Sequence, residues 1–156
     1  MAGLISDFSQ RVSVNLSQGP GVKGSSSPFI KTQTWSAASA ITDFMDGVTD
    51  CEGSTGTGAT ASAVNCTSAQ RAAYDLARWQ DDVRQSLPGG SVSVSQTAAG
   101  NGLSVTVMWS DKDYGNVKSG AWAAEQAPAC STATSGAANL TCCPTAVAAT
   151  AGVHCA

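Results

Sequence analysis

Much of the large apolar side-chain set of this protein falls in three segments, 4–16, 72–87 and 92–109, and whatever core it builds must come from them. Elsewhere small residues dominate. Ala, Ser, Thr and Gly make up half of the 156 residues. Leu, Ile, Val and Phe number only 25, below the roughly 20% at which a sequence becomes suspect as a folded domain. Net charge is only −3, whereas disordered proteins combine low hydrophobicity with high charge. The length suits one domain. The expected object is a single folded domain with a thin core and covalent reinforcement.

Composition also excludes function classes. Charged residues are 12%, with no basic patch, so nucleic-acid binding is not expected. No apolar run approaches the roughly 18 residues that would mark a bilayer-spanning helix. The start, Met1-Ala2-Gly3, shows no signal peptide.

The reinforcement comes from Cys51, Cys66, Cys130, Cys142, Cys143 and Cys155. Their long spacings and the lone His154 do not suit a structural zinc site, which needs Cys/His pairs a few residues apart. Disulfides fit better and imply an oxidising compartment. Cys51 with Cys66 is the most local pairing. Closing a loop of that size is worth about 3 kcal/mol in the loop-entropy account. The adjacent Cys142 and Cys143 are expected to take different partners, Cys130 and Cys155, in one of two arrangements.

The first segment reads as a helix, with Leu4, Ile5, Phe8, Val12 and Leu16 on one face and Gly19-Pro20-Gly21 as its stop. Residues 20–34 read as loop. A second helix is predicted from Trp35 to Met45, capped by Ser36 or Ser39. Thr67 to Leu87 is the strongest helix, with Thr67 and Gln70 as a capping box. Its stripe of Ala72, Leu76, Trp79, Val83 and Leu87 predicts a buried face, and Arg71–Asp75 and Arg78–Asp82 predict ion pairs on the solvated side. Pro88-Gly89-Gly90 ends it.

Ser91–Ser95 and Leu103–Trp109 alternate with period two around Gly100-Asn101-Gly102, which predicts a hairpin. Its apolar face would carry Val92, Val94, Leu103, Val105, Val107 and Trp109, so Leu76, Trp79, Val83, Leu87, Val105, Val107 and Trp109 form the predicted core. After Asp113 the pattern fades, with weak strand signals near 121–125 and 146–155.

No acid/base pair or nucleophile constellation stands out, so no catalytic residue, cofactor or enzymatic activity is assigned. His154 reads as an ordinary strand-edge side chain. Asp43, Asp46, Asp50 and Glu52 cluster in what reads as a solvated loop. Asp111-Lys112-Asp113-Tyr114-Gly115-Asn116 has the outline of a calcium loop but lacks a third acidic position and the distal Glu. Asp111 and Asp113 are therefore weak candidates, and no metal is assigned. Asn15, Asn65 and Asn139 open glycosylation-type triplets, which arise by chance in a Ser/Thr-rich sequence.

The segment Ala73-Tyr74-Asp75-Leu76-Ala77-Arg78-Trp79, continuing to Val83 and Leu87-Pro88-Gly89-Gly90, resembles the middle of PilV-type minor pilins of bacterial type IV pili. In that family a valine-rich hairpin ending in tryptophan and an acidic residue follows, matched here by Val105, Val107, Trp109 and Asp111. Cys66 matches a cysteine before the helix, Gly152-Val153-His154-Cys155 is similar to the C-terminal segment, and Leu4–Arg11 resembles the end of the long first helix. Family members begin with a prepilin-peptidase site and an apolar anchor helix, and this sequence shows neither.

The resemblance implies an α+β, pilin-like fold: a helix remnant (4–16) packed on an antiparallel sheet, a helix-hairpin core (67–111) and a Cys-rich C-terminal region (112–156). It implies a non-enzymatic subunit that helps initiate or cap pilus assembly and contributes to adhesion. Its partners would be other minor pilins and the pilus fibre, reached from the periplasmic face of the inner membrane, with the missing helix as membrane anchor and the soluble part monomeric. Trp122 and Tyr114, in a stretch with few charges, are the expected partner contacts. A type II secretion pseudopilin and a secreted disulfide-rich adhesin or binding domain are the alternatives.

Overall fold

The computed structural model describes residues 2–55, 62–110, 143–147 and 153–156. The protein is α+β. Its helices are α1 (Ala2–Val14), α2 (Pro20–Lys23), α3 (Trp35–Ser39) and α4 (Ser68–Ser86). Strands β1 (Ser54–Thr55) and β2 (Ser62–Ala63) form a small antiparallel ladder. Strands β3 (Ser91–Gln96), β4 (Leu103–Ser110) and β5 (Val153–Cys155) form a sheet in the order β3-β4-β5. The fold divides into two compact units. One comprises Met1–Ile30, Asp43–Asp81 and Gln96–Leu103; the other comprises Lys31–Thr42, Asp82–Ser95 and Ser104–Ala156.

The first unit is built around stacked aromatic rings. Phe8 lies on Trp79, with ring centroids 4.3 Å apart, and Phe29 meets Phe8 edge-on at 6.1 Å. The Trp79 Nε1–H donates to the Leu4 carbonyl at 2.8 Å, so the indole is both buried and polar-satisfied. The predicted apolar face of α1 is only partly inward. Phe8 is buried, but Ile5 is 37% exposed and Leu16 65%. The cause is local. The helix ends at Val14, and Leu16–Gln18 tightens into a 3₁₀ turn, so Leu16 leaves the i, i+4 series. Asn15 is buried here, its side-chain amide donating to the Ser68 carbonyl at 2.6 Å. Beyond Gly19, Pro20 starts α2 in a stretch whose composition reads as loop. Proline fits a first helical position because its missing N–H would be unpaired there anyway.

Helix α4 follows its sequence signals closely. The Gln70 N–H donates to the Thr67 hydroxyl at 3.2 Å, and the Thr67 N–H donates back to the Gln70 side chain at 2.9 Å. This is the reciprocal capping box, which satisfies two otherwise orphaned donors. Ala72, Leu76, Trp79 and Val83 are buried, while Leu87, just past the helix end, is half-buried. By contrast, α3 is shorter than the predicted Trp35–Met45 and is capped by Thr34 rather than by Ser36 or Ser39. The Asp43 carboxylate accepts from the Met45 N–H at 2.8 Å, and that side-chain turn competes with helical continuation.

In the second unit the hairpin alternation predicts one buried face, but the structure buries both. Val107 and Met108, adjacent residues that point to opposite faces, are both fully buried. The Met108 side packs with Ala38, Cys143, Val147, Val153 and Cys155, with Trp35 against it. The C-terminal strand creates this second layer, pairing Met108 with Cys155 and Trp109 with His154. Leu103, Val105 and Trp109 are half-buried rather than fully enclosed; Trp109 stacks on His154 instead. Ser91 and Ser93 are buried because their hydroxyls serve as bonding partners. Ser91 donates to the Gly89 carbonyl at 3.1 Å, and Ser93 accepts from the Gln33 N–H at 3.3 Å.

Candidate functional site

Among the described residues, two disulfides are formed. Cys51–Cys66 closes the loop before α4, as the spacing suggests, and Cys143–Cys155 ties the turn Thr145–Val147 region to β5. Of the two arrangements open to the doublet, Cys143 takes Cys155. Cys130 and Cys142 lie outside the described residues, as do Asp111, Asp113, Tyr114, Trp122, Asn139 and the strand signal near 121–125.

The best-organised polar group of the first unit clamps the Cys51–Cys66 loop onto α4. The Tyr74 hydroxyl donates to Glu52 Oε2 at 2.9 Å. Arg71 donates to the Cys51 carbonyl at 3.2 Å, and its guanidinium lies 5.8 Å from the Tyr74 ring centroid. Gln70 reaches Thr49 Oγ1 at 3.4 Å. Residues 70, 71 and 74 share one face of α4, so little more than a single helical turn holds the whole loop base. Burial pushes the Tyr74 phenol above its ordinary pKa, and the hydrogen bond to Glu52 and the charges of Glu52 and Asp50 add to this against Arg78. Tyr74 is thereby kept as a protonated donor.

Asp43, Asp46, Asp50 and Glu52 are all exposed, as a solvated loop requires, and two of them also bond at the loop base. Asp50 Oδ1 accepts from the N–H groups of Glu52 and Gly53, both at 3.0 Å, and Glu52 takes Tyr74. Among the described residues no group of three His, Cys, Asp or Glu side chains is placed to hold a metal ion.

Asp75, half-buried on α4, behaves differently from a solvated ion-pair partner. Burial raises its pKa. The nearby Arg71 and Arg11 lower it, and Glu52 and Asp7 raise it further; Arg11 itself is paired with Asp7 at 2.8 Å. A carboxyl held above its unfolded value near 3.8 retains its proton in the native state after the unfolded state has lost it. Its contribution to stability is therefore present at acid pH and lost as pH rises through the folded value. Asp75→Asn removes that loss. Denaturation midpoints should show the variant gaining on the parent as pH rises above the unfolded value of 3.8. A parent that gains on the variant over that range would mean the arginines, not burial, dominate.

In the second unit Arg84 is a hub that its sequence context does not announce. Its Nε donates to the Gly90 carbonyl at 2.6 Å, Nη2 to the Ala38 carbonyl at 2.9 Å and Nη1 to the Ile41 carbonyl at 3.2 Å. One guanidinium thus binds carbonyls at the end of α3, just beyond it and in the turn after α4. Arg84→Met keeps most of the stem and removes the donors. It should cost about 2 kcal/mol in urea denaturation, since these are charge-assisted bonds to partly buried acceptors. The signal for Arg84 in the sequence is its place in the last turn of α4, which suits a cation but does not say what it reaches.

His154 stacks on Trp109, with ring centroids 5.6 Å apart and the planes 23° from parallel. This continues the β4–β5 pairing on the side away from Met108. Among the described residues, no helix is long and apolar enough to cross a membrane. No protein family, curated protein or solved structure matches the sequence or fold, and what the site supports rests on its own residues.

Proposed function

We propose that this protein is the pilin-like, non-enzymatic domain of a PilV-type minor pilin, which helps initiate or cap a type IV pilus at the periplasmic face of the inner membrane and contributes to adhesion. The observation that carries the reading is the order of elements along the sequence: a cysteine before α4, α4 itself, Leu87-Pro88-Gly89-Gly90, then strands β3 and β4, with Val153-His154-Cys155 paired to β4 as a third strand. These are among the segments on which the resemblance rests.

In this reading α1 is the end of a longer helix whose preceding apolar part anchors the protein in the membrane and then packs in the fibre. Ile5, Val14 and Leu16, which α1 and its following turn leave exposed, would face neighbouring subunits. The disulfide-tied loop after Cys51 and the C-terminal region would face outward, toward other minor pilins or a surface. Trp122 and Tyr114 keep their proposed place in that contact.

The complete coding sequence tests this. The proposal expects a prepilin-peptidase site followed by an apolar helix of about 20 residues joined to α1. A cleavable signal peptide with no anchor helix would overturn it in favour of a secreted binding domain.

A further inference from the structure

We infer that Asn101, at the tip of the β3–β4 hairpin, is a site of spontaneous deamidation, and that the Thr97 hydroxyl slows the reaction. The turn leaves little room for a side chain at the second position of the reactive dipeptide. Gly100 has φ +76°, and Gly102 sits so close to Thr97 that an added Cβ would lie 3.2 Å from Thr97 Cγ2 and 3.3 Å from Oγ1. Gly102 follows Asn101 directly, and glycine offers the least hindered backbone nitrogen to an asparagine side chain. Asn101 is exposed, and its side chain makes no hydrogen bond among the described residues. Asn15 and Asn65 differ: each is followed by a residue bearing a Cβ, Leu16 and Cys66, and the Asn15 amide is buried and bonded to Ser68.

In the reaction, base removes the proton from the Gly102 backbone nitrogen, which attacks Asn101 Cγ. The new C–N bond closes a succinimide, the bond from Cγ to the Asn101 amide nitrogen breaks, and ammonia leaves with a proton. Water then opens either carbonyl of the ring, giving aspartate or isoaspartate. The net change is one ammonia lost, one water gained and one negative charge added at the hairpin tip.

The attacking atom is held. The Gly102 N–H donates to Thr97 Oγ1 at 3.1 Å, while the Gly102 carbonyl accepts from the Thr97 N–H at 2.9 Å. Gly100 is fixed on both sides, its N–H on the Thr97 carbonyl at 2.8 Å and its carbonyl on Gln96 Nε2 at 2.6 Å. To attack, the Gly102 nitrogen must leave the hydroxyl and lose its proton. The same turn thus supplies the reactive pair and restrains it.

The test is incubation of the folded protein in mildly alkaline buffer, with peptide mapping that separates aspartate from isoaspartate. Both products should accumulate at position 101 ahead of positions 15 and 65, and more slowly than in the same protein held in denaturant. Thr97→Val, which keeps the shape and removes the acceptor, should speed the folded-state reaction by about fivefold, the effect of one hydrogen bond. Thr97→Ser should leave the rate near that of the parent. No product at 101 in the folded protein, while the denatured protein converts, would overturn the site. Equal rates in folded and denatured parent, or an unchanged rate in a folded Thr97→Val, would overturn the guarding role.

Discussion

Trp79→Ala is expected to lower stability by about 4 kcal/mol, read as a drop in the urea midpoint with little change in slope. The indole is fully buried, stacked on Phe8 at 4.3 Å and bonded to the Leu4 carbonyl. Alanine leaves a cavity beside the Phe8 ring, so the transfer and cavity costs add. Domains of this kind have about 5–15 kcal/mol in total, so the variant should be partly unfolded at modest temperature. Trp79→Phe separates the terms. It keeps a stacked ring and loses the Nε1–H donor, and should cost nearer about 1–2 kcal/mol. If the alanine variant lost less than the phenylalanine variant, the aromatic stack would not be the centre of the first unit.

Gly90→Ala should cost about 3 kcal/mol, although it adds one methyl group. A Cβ at Gly90 would lie 2.3 Å from the Val83 carbonyl oxygen and 3.0 Å from that of Leu87. Both are backbone atoms at the end of α4, so no rotamer change relieves the clash. The surrounding turn cannot drift either. The Gly90 N–H is on the Leu87 carbonyl at 2.8 Å, its own carbonyl is held by Arg84, and the Pro88 carbonyl takes the Ser110 N–H at 2.9 Å. Gly89 is glycine for another reason, its φ of +63°, so Gly89→Asn should be tolerated better than Gly89→Ala. Thermal melts of the three variants check the order. A Gly90→Ala protein as stable as its parent would show that the helix-to-hairpin turn can adopt another course.

Where the sequence states both a pattern and its terminus, the structure is legible from it. Thr67, Gln70 and the stripe from Ala72 to Val83 specify α4 because capping and periodicity are local properties. The Cys51–Cys66 bond is legible for a similar reason, since short separation favours the pairing. The second buried face of the sheet is not. It depends on β5 arriving from residues far along the sequence, and nothing local to Met108 announces that cover. Arg84 is hidden in the same way, because its carbonyl partners at 38 and 41 are distant in sequence. The predicted second helix runs past the end of α3 because Ile41, Phe44 and Met45 suit a helical face while Asp43 diverts the backbone into a turn. For the clamp of Tyr74, Arg71 and Gln70 on the loop, periodicity supplies the helix face but not the loop's path back to it. The Cys51–Cys66 link lies in a stretch of small residues, whereas Cys143–Cys155 is packed into the cluster of Met108, Val147 and Val153.

The most direct test of the proposed role is deletion of the gene in its own host, with surface pili counted by electron microscopy. The account predicts that pili per cell fall several-fold and return when the complete gene is supplied in trans. An unchanged number of pili, with the protein recovered free in the growth medium, would contradict it.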